Sequence, residues 1–389
     1  MKAWRTVLLL FAVSRVLILL ILSVGQPEHA HYTDNQLQLE PALLDRFILY
    51  DSFNYAQIAS EGYTEDRLTA FFPLFPLVVH GLSAVTGTDV YWAGFLLSNL
   101  FFIASLRLLE RLMEKKGIPG KVRFFTLSLL AFFPSSYYFS AFYTESFFLF
   151  LALLAFRLWG DGKRGAAYFV GGLAALTRIV GIWIPLAFFL ERGIRRKWDV
   201  KDFAGAFASG LMFSVYPVYL WVTKGDPLLF LKVQAASFGR YSTLPFYPVY
   251  QDVVWAVEKW KATGWVNPIA VFHLILFILF VWYLVSVLRS HLAGGSAASS
   301  EFIYTSGLVA MSLSSIVVRT MHVASHGFMR YILAVFPLFL FLGERWYLWL
   351  NRTDRSYLAR RSVHYLILVV WLLFSALFLM ILRNKGFVA

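Results

Sequence analysis

Acidic side chains are concentrated in one segment near the N-terminus. Residues 25–70 contain eight acids but only two basic residues, Arg46 and Arg67. One of these acids, Asp51, lies in a run whose apolar residues recur at helical spacing, which predicts a short amphipathic helix at a membrane surface. A carboxylate held there can take a proton from a hydroxyl group, which is the work of a general base. An isolated surface Asp is also often only solvated.

Three arginines fall in segments that could carry chemistry: Arg178 within an apolar stretch, where a cation needs a partner or a wet cavity, Arg240 in residues 224–267, and Arg330 just before a later apolar span. A guanidinium group binds phosphate through paired N–H donors, so Arg178, Arg240 and Arg330 are candidate anion-binding residues. Each also has a simpler interpretation. Arg178 can cap the C-terminal end of a short helix, Arg240 can be a solvated loop cation, and Arg330 can be an interfacial anchor.

Other polar residues in the same regions are weaker candidates. Glu145 begins a predicted helix, where it either stabilises the N-terminal dipole or accepts hydrogen bonds from a ligand or an arginine. Glu65 and Asp66 are either ligand contacts or solvated acids. The acids at 51, 65, 66 and 145 have no metal-site spacing, so no metal is expected. The remaining candidates are Tyr143, Gln234 and His326.

The composition indicates that these residues are positioned by membrane helices. Of the 389 residues, 59% are hydrophobic and only 15% are charged, whereas soluble domains have about 25% charged residues. Apolar runs at 7–24, 124–143, 272–288 and 365–382 are long enough to cross a bilayer as helices. The net charge of +13 is then a topology signal, not a sign of nucleic-acid binding. There are no cysteines, which excludes disulfides and thiol chemistry.

The charge distribution predicts the topology. Lys2 and Arg5 place the N-terminus in the cytoplasm, and the basic segments 107–123, 192–201 and 345–361 lie on the same side. Residues 25–90 form a first outer loop with interfacial or re-entrant helices, and residues 224–267 form a second. The result is a single all-α domain over residues 1–389, with about eleven transmembrane helices.

Two segments do not fit a simple up-and-down path. Residues 71–87 are apolar, but a full span there would place the basic segment 107–123 outside, so Pro73 and Pro76 favour a re-entrant helix. Residues 165–191 lie between two basic loops. That arrangement predicts two short helices that run out and back, with a turn near Thr177-Arg178.

The chain resembles the GPI mannosyltransferase II (PIG-V) family, which belongs to the GT-C class of membrane glycosyltransferases. The resemblance is specific over residues 45–190 and thins to isolated positions beyond. Tyr50 stands where the family usually has Trp. The family's acid after Gly62-Tyr63 falls near Asp66, which leaves Glu65 and Asp66 both as candidates. The matching residues are Asp51, Ile58-Ala59, Gly62-Tyr63, Ala70-Phe71-Phe72-Pro73, Pro76, Ser140-Ala141, Tyr143, Glu145-Ser146, Thr177-Arg178, Gln234, Arg240, Pro245 and Arg330-Tyr331.

The resemblance implies a function and a fold. The fold is a GT-C helical bundle, and the reaction is inverting transfer of mannose from a polyprenyl-phosphate mannose donor to a hydroxyl acceptor at the outer membrane face. Asp51 is then the base, and Arg178, Arg240 and Arg330 contact the leaving phosphate. The partners are this donor, the lipid bilayer and a glycolipid, glycan or protein acceptor, with no cofactor and no nucleic acid. The compact chain without a KDEL-like ending favours a prokaryotic cytoplasmic membrane.

Two other functions fit a polytopic membrane protein. A transporter or lipid flippase typically has internal repeats and acids near the middle of its spans. Here the acids collect in outer loops and no repeat is visible, which favours an enzyme. A non-catalytic subunit of a glycosylation complex is the other alternative. The presence of the candidate base Asp51 argues against it.

Overall fold

The fold is built almost entirely from helices. A computed structural model of the chain describes residues 2–23, 44–292, 299–317, 323–325, 327–350 and 369–380. The α-helices are α1 (Lys2–Ser23), α2 (Asp51–Glu61), α3 (Leu74–Thr86), α4 (Val90–Lys115), α5 (Gly120–Ala131), α6 (Glu145–Gly160), α7 (Arg164–Thr177), α8 (Trp183–Ile194), α9 (Val200–Lys224), α10 (Leu229–Phe238), α11 (Tyr247–Thr263), α12 (Pro268–Leu292), α13 (Ser300–Ser312), α14 (Phe328–Ile332), α15 (Phe336–Leu350) and α16 (Val369–Met380).

Short elements connect these helices. Four 3-10 helices cover Leu44–Phe47, Asp66–Ala70, Ser136–Phe139 and Ile179–Ile182. Two three-residue strands, β1 (Arg240–Ser242) and β2 (Ser315–Val317), form one antiparallel ribbon with Tyr241 opposite Ile316. The prediction of an all-helical membrane protein is therefore confirmed, with this small ribbon as an addition.

Within the described part of the chain, four helices are long and apolar enough to cross a bilayer. They lie at Ala3–Ser23, Val90–Lys115, Val200–Lys224 and Pro268–Ser290, and the shortest of them has 21 residues. A helix of about 20 residues reaches across the hydrocarbon core of about 30 Å. Several other apolar helices in the described ranges are shorter, so the predicted number of about eleven full spans stays a prediction.

The segment 124–143 is not the single helix that its apolar character predicts. Helix α5 ends at Ala131, and α6 begins only at Glu145. Pro134 lies in the break and has no N–H group to continue a helix. The amides that follow it close short turns instead, since Ser136 N bonds to Phe133 O at 2.7 Å. Hydropathy failed here because it measures polarity and not the ability to continue a helix.

Of the two irregular segments, residues 165–191 have the predicted form, and the re-entrant path of residues 71–87 stays a prediction. Helices α7 and α8 make an antiparallel hairpin, because Tyr168 packs on Phe188 and Gly171 lies against Pro185. Arg178 lies at the turn, as predicted, and its backbone is extended there (φ −153°). Helix α3 has 13 residues, so it reaches only about 20 Å. That length favours the re-entrant interpretation of residues 71–87.

The basic segments 107–123 and 192–201, predicted to lie in the cytoplasm, meet at one end of the bundle, whereas residues 351–361 of the third segment lie outside the described residues. Helix α6 connects the two ends. Its first residue, Glu145, lies close to Arg178 at the opposite end, and its last residue, Gly160, lies at the basic end. With 16 residues, α6 separates the two ends by about 24 Å. The contacts at the basic end pair Arg107 with Trp4, Lys115 with Asp161, Lys116 with Glu301, and Arg164 and Arg192 with Asp202.

This arrangement predicts the sidedness of single cysteines, which are informative because the chain has none of its own. Cysteines at Lys116 and Lys163 should be labelled by an impermeant maleimide only from the cytoplasmic side of sealed vesicles. Cysteines at Thr86 and Lys224 should be labelled only from the other side. Labelling of Lys116 and Lys224 variants from the same side would contradict the two-ended arrangement.

Candidate active site

Four of the described charged residues at the end opposite the basic loops form a largely buried chain of ion pairs. Glu145 Oε1 accepts hydrogen bonds from Arg178 Nη1 at 2.6 Å and from Arg330 Nε at 2.7 Å. Arg330 Nη1 also donates to Asp51 Oδ2 at 2.7 Å. The Glu145 side chain is 1% exposed, Arg330 11%, Arg178 13% and Asp51 18%. We refer to these four residues as the charge cluster.

Asp51 is placed by a strained turn. It is the first residue of α2, so the predicted amphipathic helix begins at Asp51 and not at Phe47. Tyr50, just before it, has φ 50°, a conformation that costs about 1–3 kcal/mol and needs support from its surroundings. Tyr143 gives that support, because its hydroxyl donates to Leu49 O at 3.0 Å and accepts from Asp51 N at 3.3 Å. The helix N-terminus also favours the negative charge of Asp51.

Aromatic rings hold the guanidinium groups in place. The Arg330 guanidinium carbon lies 5.0 Å from the centre of the Tyr138 ring and 4.7 Å from that of Tyr143. The Arg178 guanidinium carbon lies 4.9 Å from the Tyr331 ring centre. At these distances the ring faces attract the cations. The rings thus fix the guanidinium planes and also exclude water.

Arg240 reaches the same place from the β1–β2 ribbon. Its Nη1 donates to the Tyr331 hydroxyl at 3.2 Å, so Tyr331 separates Arg240 from Arg178. A methyl group added at Gly327 would lie 3.4 Å from Arg240 Nη2, which shows how closely the chain approaches there. In the described part of the protein Arg240 has no carboxylate partner. Among the described residues, three guanidinium groups therefore face two carboxylates, and one positive charge has no carboxylate partner.

The other predicted site residues lie outside the charge cluster. Glu65 forms an ion pair at 2.7 Å with Arg67 and its side chain is 51% exposed. The hydrogen bond from Arg67 lowers the pKa of Glu65, as in an ordinary surface ion pair. Asp66 is 65% exposed and lies 3.3 Å from Lys224 Nζ. Gln234 is half-buried on α10, and His326 lies outside the described residues.

Three contributors were missed by the sequence analysis. Thr144 Oγ1 accepts from Arg178 Nη1 at 3.3 Å, and Arg15 is bonded to the segment that leads to Tyr143. A charged residue inside an apolar span is the sequence signal that could have identified Arg15. Asp252 accepts hydrogen bonds from the amides of Ala324 and Ser325, just before Arg330. Its position in the sequence gave no indication of this contact.

Comparison with known proteins supports the family resemblance. No family model matches the chain. The chain is similar to GPI mannosyltransferase 2 of Schizosaccharomyces pombe, with 27% identity over 232 residues, which cover 52% of this chain and 50% of the relative. The chain thus spans about half the length of the curated relative it matches. This similarity confirms the resemblance to the GPI mannosyltransferase II family as a distant one.

Substitution Glu145→Gln tests the charge cluster. The substitution leaves two buried guanidinium groups without their shared carboxylate, so we expect a loss of about 3–5 kcal/mol in the free energy of unfolding. The matched control is Glu65→Gln, which removes an exposed ion pair and should change stability by about 1 kcal/mol or less. Unfolding of both purified variants in detergent measures the difference. Equal losses would show that Glu145 is not the centre of the cluster.

Proposed function

We propose that the chain is an inverting GT-C mannosyltransferase. It transfers mannose from polyprenyl-phosphate mannose to a hydroxyl group of a glycolipid, glycan or protein acceptor. The observation that carries the proposal is a partly accessible carboxylate, Asp51, beside buried arginines with one positive charge in excess. Such a site combines a base for a hydroxyl group with a cation for a leaving phosphate. The similarity to a protein named GPI mannosyltransferase 2 supports the choice of sugar.

Asp51 is the base in this proposal, and Glu145 is not. The Glu145 side chain is 1% exposed and its Oε1 is already shared by two arginines, whereas Asp51 is 18% exposed. Asp51 Oδ2 binds Arg330, and Oδ1 accepts no hydrogen bond from the residues that the structure describes. Oδ1 can therefore take the acceptor proton while Arg330 holds the carboxylate in place. A well-placed base accelerates such a step by about 10²–10⁴-fold.

The reaction balances with this one base. The acceptor oxygen loses its proton to Asp51 and attacks the anomeric carbon of mannose from the side opposite the phosphate. The bond from that carbon to the phosphate oxygen breaks, and its electron pair leaves with polyprenyl phosphate. The anomeric configuration is inverted. Because a phosphate monoester has a second pKa of about 6, it leaves without a strong general acid.

Arg240 binds the leaving phosphate. The donor is a phosphodiester with a single negative charge, and the product phosphate carries more. Arg178 and Arg330 are largely neutralised by Glu145 and Asp51, so the growing charge is met mainly by Arg240. Its guanidinium group can bind two phosphate oxygens at once. With three guanidinium groups at the site, the proposal requires neither a metal nor another cofactor.

The remaining features of the site complete the proposal. Glu145 Oε2 is buried and accepts no hydrogen bond from the described residues, so a mannose hydroxyl or a water molecule can donate to it. The site faces the side of the membrane away from the cytoplasm, because the basic segments gather at the other end. A transporter fits less well, since the buried acids of the cluster are held in fixed ion pairs.

Substitution Asp51→Asn tests the base. Asparagine keeps an oxygen for Arg330 but cannot take a proton, so the folded variant should lose mannose transfer by about 10²-fold or more. The measurement is transfer of radiolabelled mannose from polyprenyl-phosphate mannose into a total lipid extract. Glu61→Gln, at the exposed end of the same helix, is the control and should retain activity. Normal transfer by Asp51→Asn would exclude Asp51 as the base.

Substitution Arg240→Gln tests the phosphate contact. A hydrogen bond to a charged group contributes about 1.5–3 kcal/mol, so the KM for the donor should rise by at least tenfold. Thermal stability should change little, because Arg240 has no ion pair among the described residues. Lys232→Gln, which alters an exposed cation on the preceding helix, should leave the KM unchanged. An unaltered donor KM in Arg240→Gln would place the phosphate elsewhere.

A further inference from the structure

Arg15 is a buried cation within the first membrane-spanning helix. The residue is 7% exposed, and its described hydrogen bonds all go to backbone or hydroxyl oxygens. Nη1 donates to Ser136 O at 2.7 Å and Ser140 Oγ at 2.9 Å, and Nη2 donates to Ala131 O at 3.0 Å and Ser136 Oγ at 3.1 Å. Its guanidinium carbon also lies 4.9 Å from the Phe102 ring centre.

The position of Arg15 makes this arrangement costly. Residue 15 lies well inside α1, which begins at Lys2, and an arginine near the centre of a membrane helix costs about 2.5–3.5 kcal/mol. A leucine would fit a lipid-facing helix without that cost. The guanidinium group must therefore form contacts that offset this cost, and its hydrogen-bond partners show which groups it stabilises.

Apart from Ser14 of α1, whose Oγ accepts from Arg15 Nε at 3.3 Å, the hydrogen-bond partners of Arg15 lie at the break between α5 and α6. Ala131 is the last residue of α5, so its carbonyl has no partner within the helix. Backbone that is not helical must find hydrogen bonds elsewhere at membrane depth. Arg15 supplies up to five N–H donors from one planar group, which satisfies two carbonyl groups and two hydroxyl groups of the break. Ser140 passes the connection on to Asn99 Oδ1 at 2.7 Å.

The same break carries residues that shape the charge cluster. Tyr138 and Tyr143 flank the Arg330 guanidinium group. The Tyr143 hydroxyl holds the strained turn before Asp51. The path from Arg15 to Asp51 therefore runs through Ser140, the two residues Ala141 and Phe142, and Tyr143, whose hydroxyl accepts from Asp51 N. A change in the path of the break moves the base and its arginine together.

We propose that Arg15 is a positioning residue for the transfer reaction. It fixes the break between α5 and α6 so that Tyr138 and Tyr143 hold Asp51 and Arg330 in register. The effect of Arg15 on the rate of transfer rests on the proposed function. Arg240, the phosphate contact, is held by the β1–β2 ribbon and not by this break. Loss of Arg15 should therefore lower kcat and leave the donor KM nearly unchanged.

The test compares three variants in purified protein. Arg15→Lys keeps the charge but loses the planar set of donors. Ser140→Ala removes a single partner of Arg15. Arg164→Lys is the matched control, because Arg164 is a partly buried arginine bonded to Asp199 and Asp202 at the opposite end. Each variant is examined for kcat, for donor KM, and for backbone hydrogen exchange in peptides covering residues 48–53.

The expected results distinguish a role of Arg15 in positioning Asp51 from a general role in protein stability. Because small misplacements of reacting groups cost up to about 100-fold in rate, Arg15→Lys should lose about 10- to 100-fold in kcat with less than about a twofold change in donor KM. Ser140→Ala should show a smaller loss of the same kind. In both variants, exchange at residues 48–53 should be faster than in the wild type. Arg164→Lys should change neither kcat nor that exchange.

The contrary outcomes are distinct. Wild-type kcat in Arg15→Lys, or exchange at residues 48–53 equal to that of Arg164→Lys, would overturn the positioning role. If Arg15→Lys does not fold, Ser140→Ala decides by the same two measurements. If the wild-type protein transfers no mannose, the proposed function fails. Faster exchange in Arg15→Lys or Ser140→Ala would then still support the connection from Arg15 to the Asp51 turn.

Discussion

One carboxylate oxygen joins the elements of the site. Glu145 Oε1 accepts from Arg178 and from Arg330, and both arginines are largely shielded from solvent. Removing one member of a buried ion pair leaves a bare charge and costs several kcal/mol, so each residue fixes the others. Arg178 comes from the α7–α8 turn and Arg330 from α14. Through Arg330 the same network reaches Asp51 at the start of α2, so that the positions of all these elements depend on Glu145.

The site is assembled where helices are broken. Tyr143 lies in the break between α5 and α6, Arg178 lies between α7 and α8, and Asp51 follows the turn at Tyr50. An intact membrane helix bonds its own backbone and directs side chains only sideways. A break exposes backbone groups and helix ends, which then need partners such as Arg15. The need for partners and the proximity of charged groups thus have one structural origin.

The distribution of charge gives the molecule two unlike ends. At the basic end, the described arginines pair with acids of very different exposure, for example Arg192 with the half-exposed Asp199 and the buried Asp202. At the other end the charge cluster is largely shielded from solvent, and the half-buried Arg240 beside it has no carboxylate partner among the described residues. A partly shielded excess of positive charge is well suited to an anionic ligand, because water screens it less than at a surface. That difference supports a phosphate-dependent reaction at this end of the bundle.

The sequence alone determined the broad properties of this protein. Hydropathy identified a helical membrane protein because burial in lipid depends on runs of neighbouring residues. The flanking charges grouped the basic loops, and the pattern around Thr177-Arg178 predicted the hairpin that the structure contains. The resemblance in residues 45–190 singled out Asp51, Glu145 and Arg178 as site residues, which the structure brings together. These signals are local or rest on matched motifs, so they can be read from the chain.

Only the tertiary structure decided how these residues act on one another. Arg330 and Asp51 are 279 residues apart in sequence, and no local pattern shows that they pair. The same holds for the pairing of Arg178 with Glu145, for the uncompensated charge of Arg240 and for the exposure of Glu65 and Asp66. The break after α5 was missed because hydropathy does not register the lost N–H of Pro134. The charge of Arg15 inside an apolar span is visible in the sequence, but its partners are carbonyl and hydroxyl groups that only the structure identifies.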